Sequence, residues 1–214
     1  MRIRFDEQLE HLNVELVEMG ILCEEVIMLT TKIVDEREES FINLVQKIGS
    51  KIDHKERNIE SFCLKLLLQQ QPVARDLRHI SAALKMITDM ERIGDQAEDI
   101  AEIVETWNGY NWDDLDIIHD MAKCTAKMIK NSIESYIDSD IELARSVIQM
   151  DDKVDALFND MKYMLIEKIT NNPEQREHSI DLLMMAKYLE RIGDHITNIA
   201  DWVIFAVVGE HEEA

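Results

Sequence analysis

The sequence predicts an all-α protein of two tandem, internally duplicated three-helix bundles, six helices in all. Its 214 residues include only six Gly and two Pro, which leaves little material for hairpin turns or a many-stranded sheet. Apolar residues recur at steps of three and four along most of the chain, as they do on the buried face of a helix. The pentamer ERIGD occurs at residues 91–95 and again at 190–194, which indicates an internal repeat.

The first two helices are predicted from apolar stripes and a capping signal. The stripe over residues 9–29 recurs at helical steps and predicts the first helix. Asp35 followed by Glu38 has the form of a capping box, so a second helix is expected to begin there. A second apolar stripe carries this helix to about residue 68, where the sequence QQQPVARDL ends it.

A proline and a linker predict the third helix and the division of the chain. Pro72 suits the first turn of a helix because its missing N–H is not needed there, so a helix is expected over about 72–107. The segment NGYNWDD at 108–114 combines Gly and Asn and is the clearest linker in the sequence. The predicted domains are therefore residues 1–109 and residues 110–214.

The second half repeats the pattern of the first. An apolar stripe over residues 117–129 predicts a fourth helix. Ser139 with Glu142 again has capping-box form and predicts a long fifth helix that ends at about residue 171. The Asn-Pro pair at 172–173 combines a capping residue with an early proline and predicts the start of the sixth helix, which carries the second pentamer.

Charge and cysteine content restrict the functions available to the chain. A formal net charge of −21 argues against nucleic acid as a partner and favours cations and basic protein surfaces. Cys23, Cys63 and Cys124 lie far apart among apolar neighbours, which indicates reduced core thiols of a cytoplasmic protein. Neither a signal peptide nor a membrane span is expected, because Asp6 and Glu7 interrupt the N-terminal segment and no apolar run reaches about 18 residues.

Five carboxylates share one stripe of the third predicted helix. Glu91 and Asp95 are four residues apart and lie one above the other on the same face. Glu98, Asp99 and Glu102 fall within the same arc of roughly 100°. Like charges at this spacing destabilise a helix by roughly a few tenths of a kcal/mol per pair, so a bound cation would explain the crowding. Oxygen ligands suit hard cations such as Mg²⁺, Mn²⁺, Ca²⁺ or ferric iron, and the absence of a thiolate or paired-imidazole motif argues against a structural zinc site.

The second copy of the stripe has fewer carboxylates. Glu190 and Asp194 are retained, Thr197 and Asn198 replace the next two acids, and Asp201 replaces the last. The second half is therefore expected to bind a metal more weakly, or to bind a different number of ions. An acidic stripe in a chain with 44 acidic residues is also typical of a plain solvated face, but its repetition beside the core arc favours metal binding.

The middle helix of each half adds candidate ligands. Asp151 and Asp155 are four residues apart on the fifth predicted helix. Their counterparts, which lie within one residue of the same distance from the following proline, are Gly49 and Asp53, so one carboxylate is missing in the first half. His195 projects about 100° away from its neighbour in the second pentamer and is expected to be exposed rather than a ligand.

The end of the sixth helix differs from its counterpart. The segment WVIFAVVG at 202–209 is apolar on all sides, where the first copy reads IVETWN. Such a helix end must be buried. Packing inside the six-helix body, a homodimer seam and contact with a membrane-bound partner are the three alternatives.

Two segments resemble the paired signatures of the PhoU family, namely QQQPVARDLRHISAALKMITDMERIGDQAEDIA and LERIGDHITNIADWVIFAVVG. The resemblance spans essentially the whole chain. It implies two three-helix bundles side by side, with E/D-x-x-x-D motifs that hold a mono- or multinuclear site for Fe, Mn, Mg or Zn in each half. The ligands that it implies are Glu91, Asp95, Asp99 and Asp53 in the first half, and Glu190, Asp194, Asn198, Asp151 and Asp155 in the second.

The same resemblance implies a regulatory function without catalysis. Members of the PhoU family link the high-affinity phosphate ABC transporter, through its ATPase, to a membrane sensor histidine kinase and keep the phosphate-starvation response off. The chain would then be cytoplasmic and peripheral to the membrane through its protein partners. A homodimer is expected from the apolar end of the sixth helix. An accessory protein of a low-affinity phosphate permease and a plain helical adaptor without a metal site are the alternatives. A di-iron oxidase is disfavoured because its Glu-x-x-His motif occurs nowhere in the chain.

Overall fold

The residues that the structure describes form six long α-helices, as predicted. The computed structural model describes residues 2–36, 38–69, 73–106 and 115–211, and these residues include no β-strand. The helices are α1 (Arg2–Glu36), α2 (Glu39–Gln69), α3 (Ala74–Glu105), α4 (Asp116–Asp138), α5 (Ile141–Asn171) and α6 (Arg176–Val208).

Two of the predicted helix boundaries and the linker cannot be compared with the fold. Pro72, Trp107 and the segment 108–114, which contains the predicted domain boundary, lie outside the described residues. The proline of the second half is described: Pro173 begins a short 3₁₀ turn, Pro173–Gln175, that leads into α6. α6 itself begins at Arg176, and the side chain of Asn172 makes no capping hydrogen bond, so the predicted start of the sixth helix at the Asn-Pro pair is wrong by about one turn.

The six helices form two three-helix bundles that share one core. α1, α2 and α3 pack on one another, α4, α5 and α6 do the same, and contacts of α3 with α6 and of α1 with α4 join the bundles. α3 and α6 are antiparallel, because Gly209 at the end of α6 lies against Arg78 near the start of α3. The buried apolar side chains of both halves form a single cluster. The helices thus form two layers, with α2, α3, α6 and α5 in one and α1 beside α4 in the other.

The predicted capping box at the start of α2 is wrong. α1 continues through Asp35, and α2 begins at Glu39. The carbonyl of Glu38 accepts a bond from the backbone N–H of Phe41 at 2.9 Å, so the chain turns into α2 at Glu38. Oδ1 of Asp35 lies 2.8 Å from Nε2 of His119 on α4. The carboxylate of Asp35 therefore makes a tertiary contact instead of capping a helix.

The predicted capping box of α5 is displaced by one residue. Asp140 is the N-cap, and its side chain accepts a hydrogen bond from the backbone N–H of Leu143 at 3.0 Å. Ser139 has a φ of 53° and is the left-handed C-cap of α4. Because a capping residue needs extended backbone, the conformation of Ser139 excludes it and leaves the role to Asp140.

The apolar end of α6 packs largely inside the six-helix body. Trp202 and Phe205 are partly buried, and their rings pack against His211, with ring centroids 4.5 Å and 4.7 Å from that of the imidazole. Val208 stays 51 % exposed. The fully packed residues of this segment are Val203, Ile204 and Ala206. The first of the three predicted alternatives therefore accounts for most of this segment.

The cysteines are buried and unpaired, as predicted for core thiols. Burial raises the pKa of the Cys23 thiol, so that group is held in its protonated form. Within the described ranges, no helix is both long enough and apolar enough to cross a membrane.

Candidate metal centre

Three carboxylates of the first half converge between α2 and α3. Asp53 on α2 and Glu91 and Asp95 on α3 each place one oxygen within 4.8 Å of the other two. Two oxygens on opposite sides of a cation that binds each at about 2.0–2.6 Å are about 4–5 Å apart, so this spacing suits a shared ion. All three residues are partly buried. The structure thus brings together three of the four ligands predicted for this half.

Helix geometry positions the α3 pair, and helix packing positions Asp53. Glu91 and Asp95 lie one turn apart and border the apolar arc that the sequence predicts for this helix. The buried residues of that arc are Ile87, Met90, Ala97, Ile100, Ala101 and Val104. α2 approaches α3 closely at Gly94, where a Cβ would lie 3.3 Å from Cδ1 of Ile52. Because Asp53 follows Ile52, this close approach places its carboxylate beside the α3 pair.

Two arginines neutralise part of the first cluster. Nη1 of Arg92 lies 2.8 Å from Oδ2 of Asp95, Nε of Arg92 lies 3.4 Å from Oε2 of Glu91, and Nη2 of Arg57 lies 3.5 Å from Oδ2 of Asp53. Both arginine side chains are more than half exposed, so these ion pairs are weak. Burial raises the pKa of Glu91, and the charge of Asp95 raises it further. The cluster therefore still favours an additional cation.

A fourth carboxylate, that of Glu98, belongs to this cluster although the sequence does not predict it as a ligand. A Cβ on Gly49 of α2 would lie 1.8 Å from Oε1 of Glu98, so a larger residue at position 49 would displace this carboxylate. Burial raises the pKa of Glu98, and the charges of Asp53 and Asp95 raise it further. Gly49, where the sequence lacks the carboxylate that Asp151 provides in the second half, is thus the place where the carboxylate of Glu98 packs.

Four carboxylates of the second half gather between α5 and α6. Asp151 lies against Gly193, where a Cβ would be 2.5 Å from Oδ1 of Asp151. That oxygen is inaccessible to solvent and has no hydrogen-bond partner among the described residues. Burial, together with the charges of Asp155, Asp194 and Glu190, raises the pKa of Asp151 to about 7. An ionised Asp151 therefore lacks the stabilisation that a bound cation would give.

The two halves differ in how closely their carboxylates converge. Among the described carboxylates of the second half, no three bring oxygens within the 4.8 Å spacing of the first cluster. Lys187 pairs with Glu190 there, and burial together with the charge of Glu190 raises the pKa of Asp194. In each half, one carboxylate packs against a glycine of the neighbouring helix. In the first half this is Glu98 of α3 against Gly49 of α2, and in the second it is Asp151 of α5 against Gly193 of α6.

Asp99, His195 and Asn198 lie where α3 meets α6. The side-chain amide of Asn198 donates to Oδ1 of Asp89 on α3 at 3.3 Å, and Nδ1 of His195 lies 2.9 Å from the same oxygen. Only 19 % of the His195 side chain is exposed, so the prediction of an exposed histidine is wrong. Burial raises the pKa of Asp99, and Arg191 of α6 opposes that shift. No local pattern could have predicted the contact of His195 with Asp89, because 106 positions separate them.

The family model of the PhoU domain matches the chain twice, at residues 16–104 and 118–203. A relative from Clostridium acetobutylicum is 33 % identical over 96 % of this chain and 95 % of its own length. A second, from Pseudomonas aeruginosa, is 30 % identical over 96 % of this chain and 86 % of its own length. Both are named phosphate-specific transport system accessory protein PhoU homolog.

Two crystal structures have the same fold. That of PhoU from Pseudomonas aeruginosa superposes with a TM-score of 0.90 at 30 % identity, over 96 % of this chain and all of that one (100 %). That of the phosphate transport system regulatory protein PhoU from Streptococcus pneumoniae gives a TM-score of 0.91 at 22 % identity, over 98 % of this chain and 100 % of its own. At that lower identity, the second structure supports the fold alone. From the two domain matches and the relatives that align along nearly the whole chain, this protein belongs to the PhoU domain family.

Proposed function

We propose that this protein is a non-enzymatic, metal-binding regulator of phosphate uptake. It would link a phosphate ABC transporter, through the transporter's ATPase, to a membrane sensor histidine kinase and keep the phosphate-starvation response off. The relatives named as accessory proteins of the phosphate-specific transport system support the phosphate role. The convergence of Asp53, Glu91 and Asp95 is the single observation that carries the metal-binding part.

The residues of both clusters fit a hard cation. In the first half, Asp53, Glu91 and Asp95 would hold the ion, with Glu98 close by. In the second half, the buried and unpartnered Oδ1 of Asp151 is a donor that an ion would satisfy. Oxygen donors of this kind suit Mg²⁺, Mn²⁺ or ferric iron. A bound ion would supply the positive charge that the crowded carboxylates lack and so stabilise the packing of α2 on α3 and of α5 on α6.

Regulation through protein partners agrees with the charge of the molecule. A chain of net charge −21 repels free phosphate, so we place phosphate sensing in the partners rather than in a direct phosphate site. The protein would then act in the cytoplasm, reaching the membrane only through those partners. No catalytic role is proposed.

Elemental analysis tests the metal sites. Protein purified without chelator should contain divalent or ferric ions, and the double variant Asp95→Asn with Asp194→Asn should lose them. Glu167→Gln, which removes an exposed carboxylate of α5, is the matched control and should keep the metal content of the unmodified protein. An unchanged metal content in the double variant would refute the assignment of these ligands.

Gene deletion tests the regulatory role. Deletion should switch on the phosphate-starvation response in phosphate-rich medium, and the intact gene should switch it off again. Affinity purification from the complemented strain should recover the transporter ATPase and the histidine kinase. Recovery of a low-affinity permease, with an unchanged starvation response, would instead support the accessory function for such a permease.

A further inference from the structure

The ammonium of Lys187 lies at the edge of the second carboxylate cluster. It pairs with the carboxylate of Glu190, one turn further along α6. Only 13 % of the Glu190 side chain is exposed, so solvent screens this pair less than it screens the arginine pairs of the first half. Burial and the charge of Glu190 raise the pKa of Asp194, and the charge of Lys187 opposes that rise. Lys187 therefore places a positive charge beside two of the carboxylates that a metal ion would use.

Phe158 of α5 holds the lysine side chain in this position. Nζ of Lys187 lies 5.3 Å from the centroid of the Phe158 ring, within the range of a cation–π contact. Phe158 packs against the core and follows Asp155 by three residues, so its ring lies about one turn from that carboxylate. The ammonium is thus fixed between α5 and α6, the two helices that carry the second cluster.

Three other basic side chains of this region act on groups of other helices. Nδ1 of His195 lies 2.9 Å from a carboxylate oxygen of Asp89 on α3. Arg191 opposes the rise in pKa that burial causes in a carboxylate of α3, and Lys153 does the same for a thiol of α4. Of these four basic residues, Lys187 is the one with a direct ion pair to a carboxylate of the second cluster.

The first half has threonine where the second half has Lys187. The two copies of ERIGD are 99 residues apart, which aligns Lys187 with Thr88 of α3. The Thr88 hydroxyl donates to the backbone carbonyl of Leu84 at 3.3 Å and carries no charge. The cations beside the first cluster are Arg57 and Arg92, whose side chains are more exposed than that of Lys187. The first cluster therefore lacks an ammonium at the corresponding position.

The position of Phe158 differs in the same direction. Beside the glycines of the two pentamers, α2 places Ile52 and α5 places Val154, which are 102 residues apart. The same offset aligns Phe158 with Glu56 of α2, which is partly buried. Burial raises the pKa of Glu91, and the charge of Glu56 adds to that rise. Where the second half has an aromatic ring and an ammonium, the first half thus has a further carboxylate and a hydroxyl.

We infer that Lys187 is a built-in counter-ion of the second cluster, which binds metal more weakly than the first because an arriving cation must displace this ammonium. The inference rests on the proposed metal sites. A divalent ion at the second cluster meets the positive charge of Lys187 and competes with it for the carboxylate of Glu190. In the metal-free protein, the same ammonium holds α5 and α6 together. The first half is then the more metal-responsive of the two.

Exchange of residues between the two halves tests this role. Mn²⁺ binding to the chelator-treated full chain is measured by isothermal titration calorimetry, with Asp95→Asn present so that the heat reports the second cluster. Lys187→Thr should tighten Mn²⁺ binding there about tenfold, because the ion no longer meets a nearby positive charge. Lys187→Arg keeps the charge and should retain the weak binding. Lys127→Thr makes the same change on the exposed side of α4 and is the matched control.

The reverse exchange belongs to the first half. With Asp194→Asn present, Thr88→Lys should weaken Mn²⁺ binding at the first cluster about tenfold, because it places an ammonium one turn from Glu91. A second measurement needs no metal. In chelator, Lys187→Thr should lower the urea midpoint of unfolding, and Lys187→Arg should not, because the carboxylate of Glu190 loses its partner only in the first variant.

Two results would overturn the inference while the metal sites stand. One is a Mn²⁺ affinity of the second cluster that Lys187→Thr leaves unchanged. The other is an equal gain in affinity from Lys187→Thr and Lys187→Arg, which would show that side-chain packing, and not charge, limits binding. Absence of Mn²⁺ binding from the unmodified chain and from every variant would instead refute the proposed metal sites, and the inference with them.

Discussion

Replacing Asp151 with Asn should stabilise the metal-free protein at neutral and alkaline pH. Oδ1 of Asp151 is buried against Gly193 without a hydrogen-bond partner among the described residues. Burial and the neighbouring charges of Asp155, Asp194 and Glu190 hold its pKa at about 7. Asparagine has nearly the same shape and no charge, so it removes the repulsion and keeps the packing.

The size and sign of this effect follow from the two pKa values. The pKa is about 7 in the folded protein and 3.8 as the ordinary value. The difference between the two pKa values corresponds to at most about 4 kcal/mol of unfolding free energy, at about 1.36 kcal/mol per pKa unit. Because the carboxyl is only half-buried, solvent screens the charges and we expect about 1–2 kcal/mol. The free-energy cost of ionising the Asp151 carboxyl in the folded protein is absent below its ordinary pKa of 3.8. This cost grows as the pH rises and is complete above the folded-state pKa of about 7.

Urea denaturation followed by circular dichroism measures the effect. In the presence of chelator, Asp151→Asn should exceed the unmodified protein in free energy of unfolding by about 1–2 kcal/mol at alkaline pH and by nearly nothing at strongly acidic pH. With saturating metal the order should reverse, because the unmodified protein gains binding energy that the variant loses. Asp160→Asn, an exposed carboxylate of the same helix, is the control. A variant that is less stable than the unmodified protein in chelator at alkaline pH would refute the reasoning.

Single substitutions test the α5 cap, the glycine beside Asp151 and the α3–α6 junction. Asp140→Ala removes the N-cap of α5 and should lower the free energy of unfolding by about 1 kcal/mol in urea; no loss would contradict the assigned cap. Gly193→Ala places a methyl group 2.5 Å from Oδ1 of Asp151, so the variant should bind less metal while circular dichroism stays unchanged, and normal metal content would count against the second cluster. His195→Ala breaks the bond across the α3–α6 junction and should destabilise by about 1 kcal/mol, whereas the exposed His54→Ala should not. Equal effects of the two histidine variants would contradict that role.

Helix type and helix order could be predicted from the sequence because both depend on local spacing. The three- and four-residue recurrence of apolar side chains indicates a buried helical face wherever it occurs. The position of Glu91 above Asp95 likewise follows from the geometry of a single helix. The end of α5 at Asn171 agrees with the prediction, because the Asn-Pro pair that follows is also a local signal.

Helix starts were harder to predict because neighbouring polar residues compete for the same role. Ser139 and Asp140 could each cap α5, and the left-handed backbone of Ser139 decides in favour of Asp140. Asp35 looks like a cap in the sequence, but α1 runs past it and its carboxylate lies beside His119. Such choices depend on backbone conformation and tertiary contacts, which the spacing of residue types does not contain.

The sequence alone determined six helices, a duplicated acidic motif and the pair Glu91 and Asp95, since each of these depends on residues within a few turns of one another. The tertiary structure alone decided that Asp53 joins this pair, that Glu98 packs over Gly49, and that α6 contacts α3 through His195. Each of these contacts joins residues that are far apart in the sequence. Their geometry is set by how closely helices pack at glycine and at small or branched side chains, and that packing exists only once the whole core has formed.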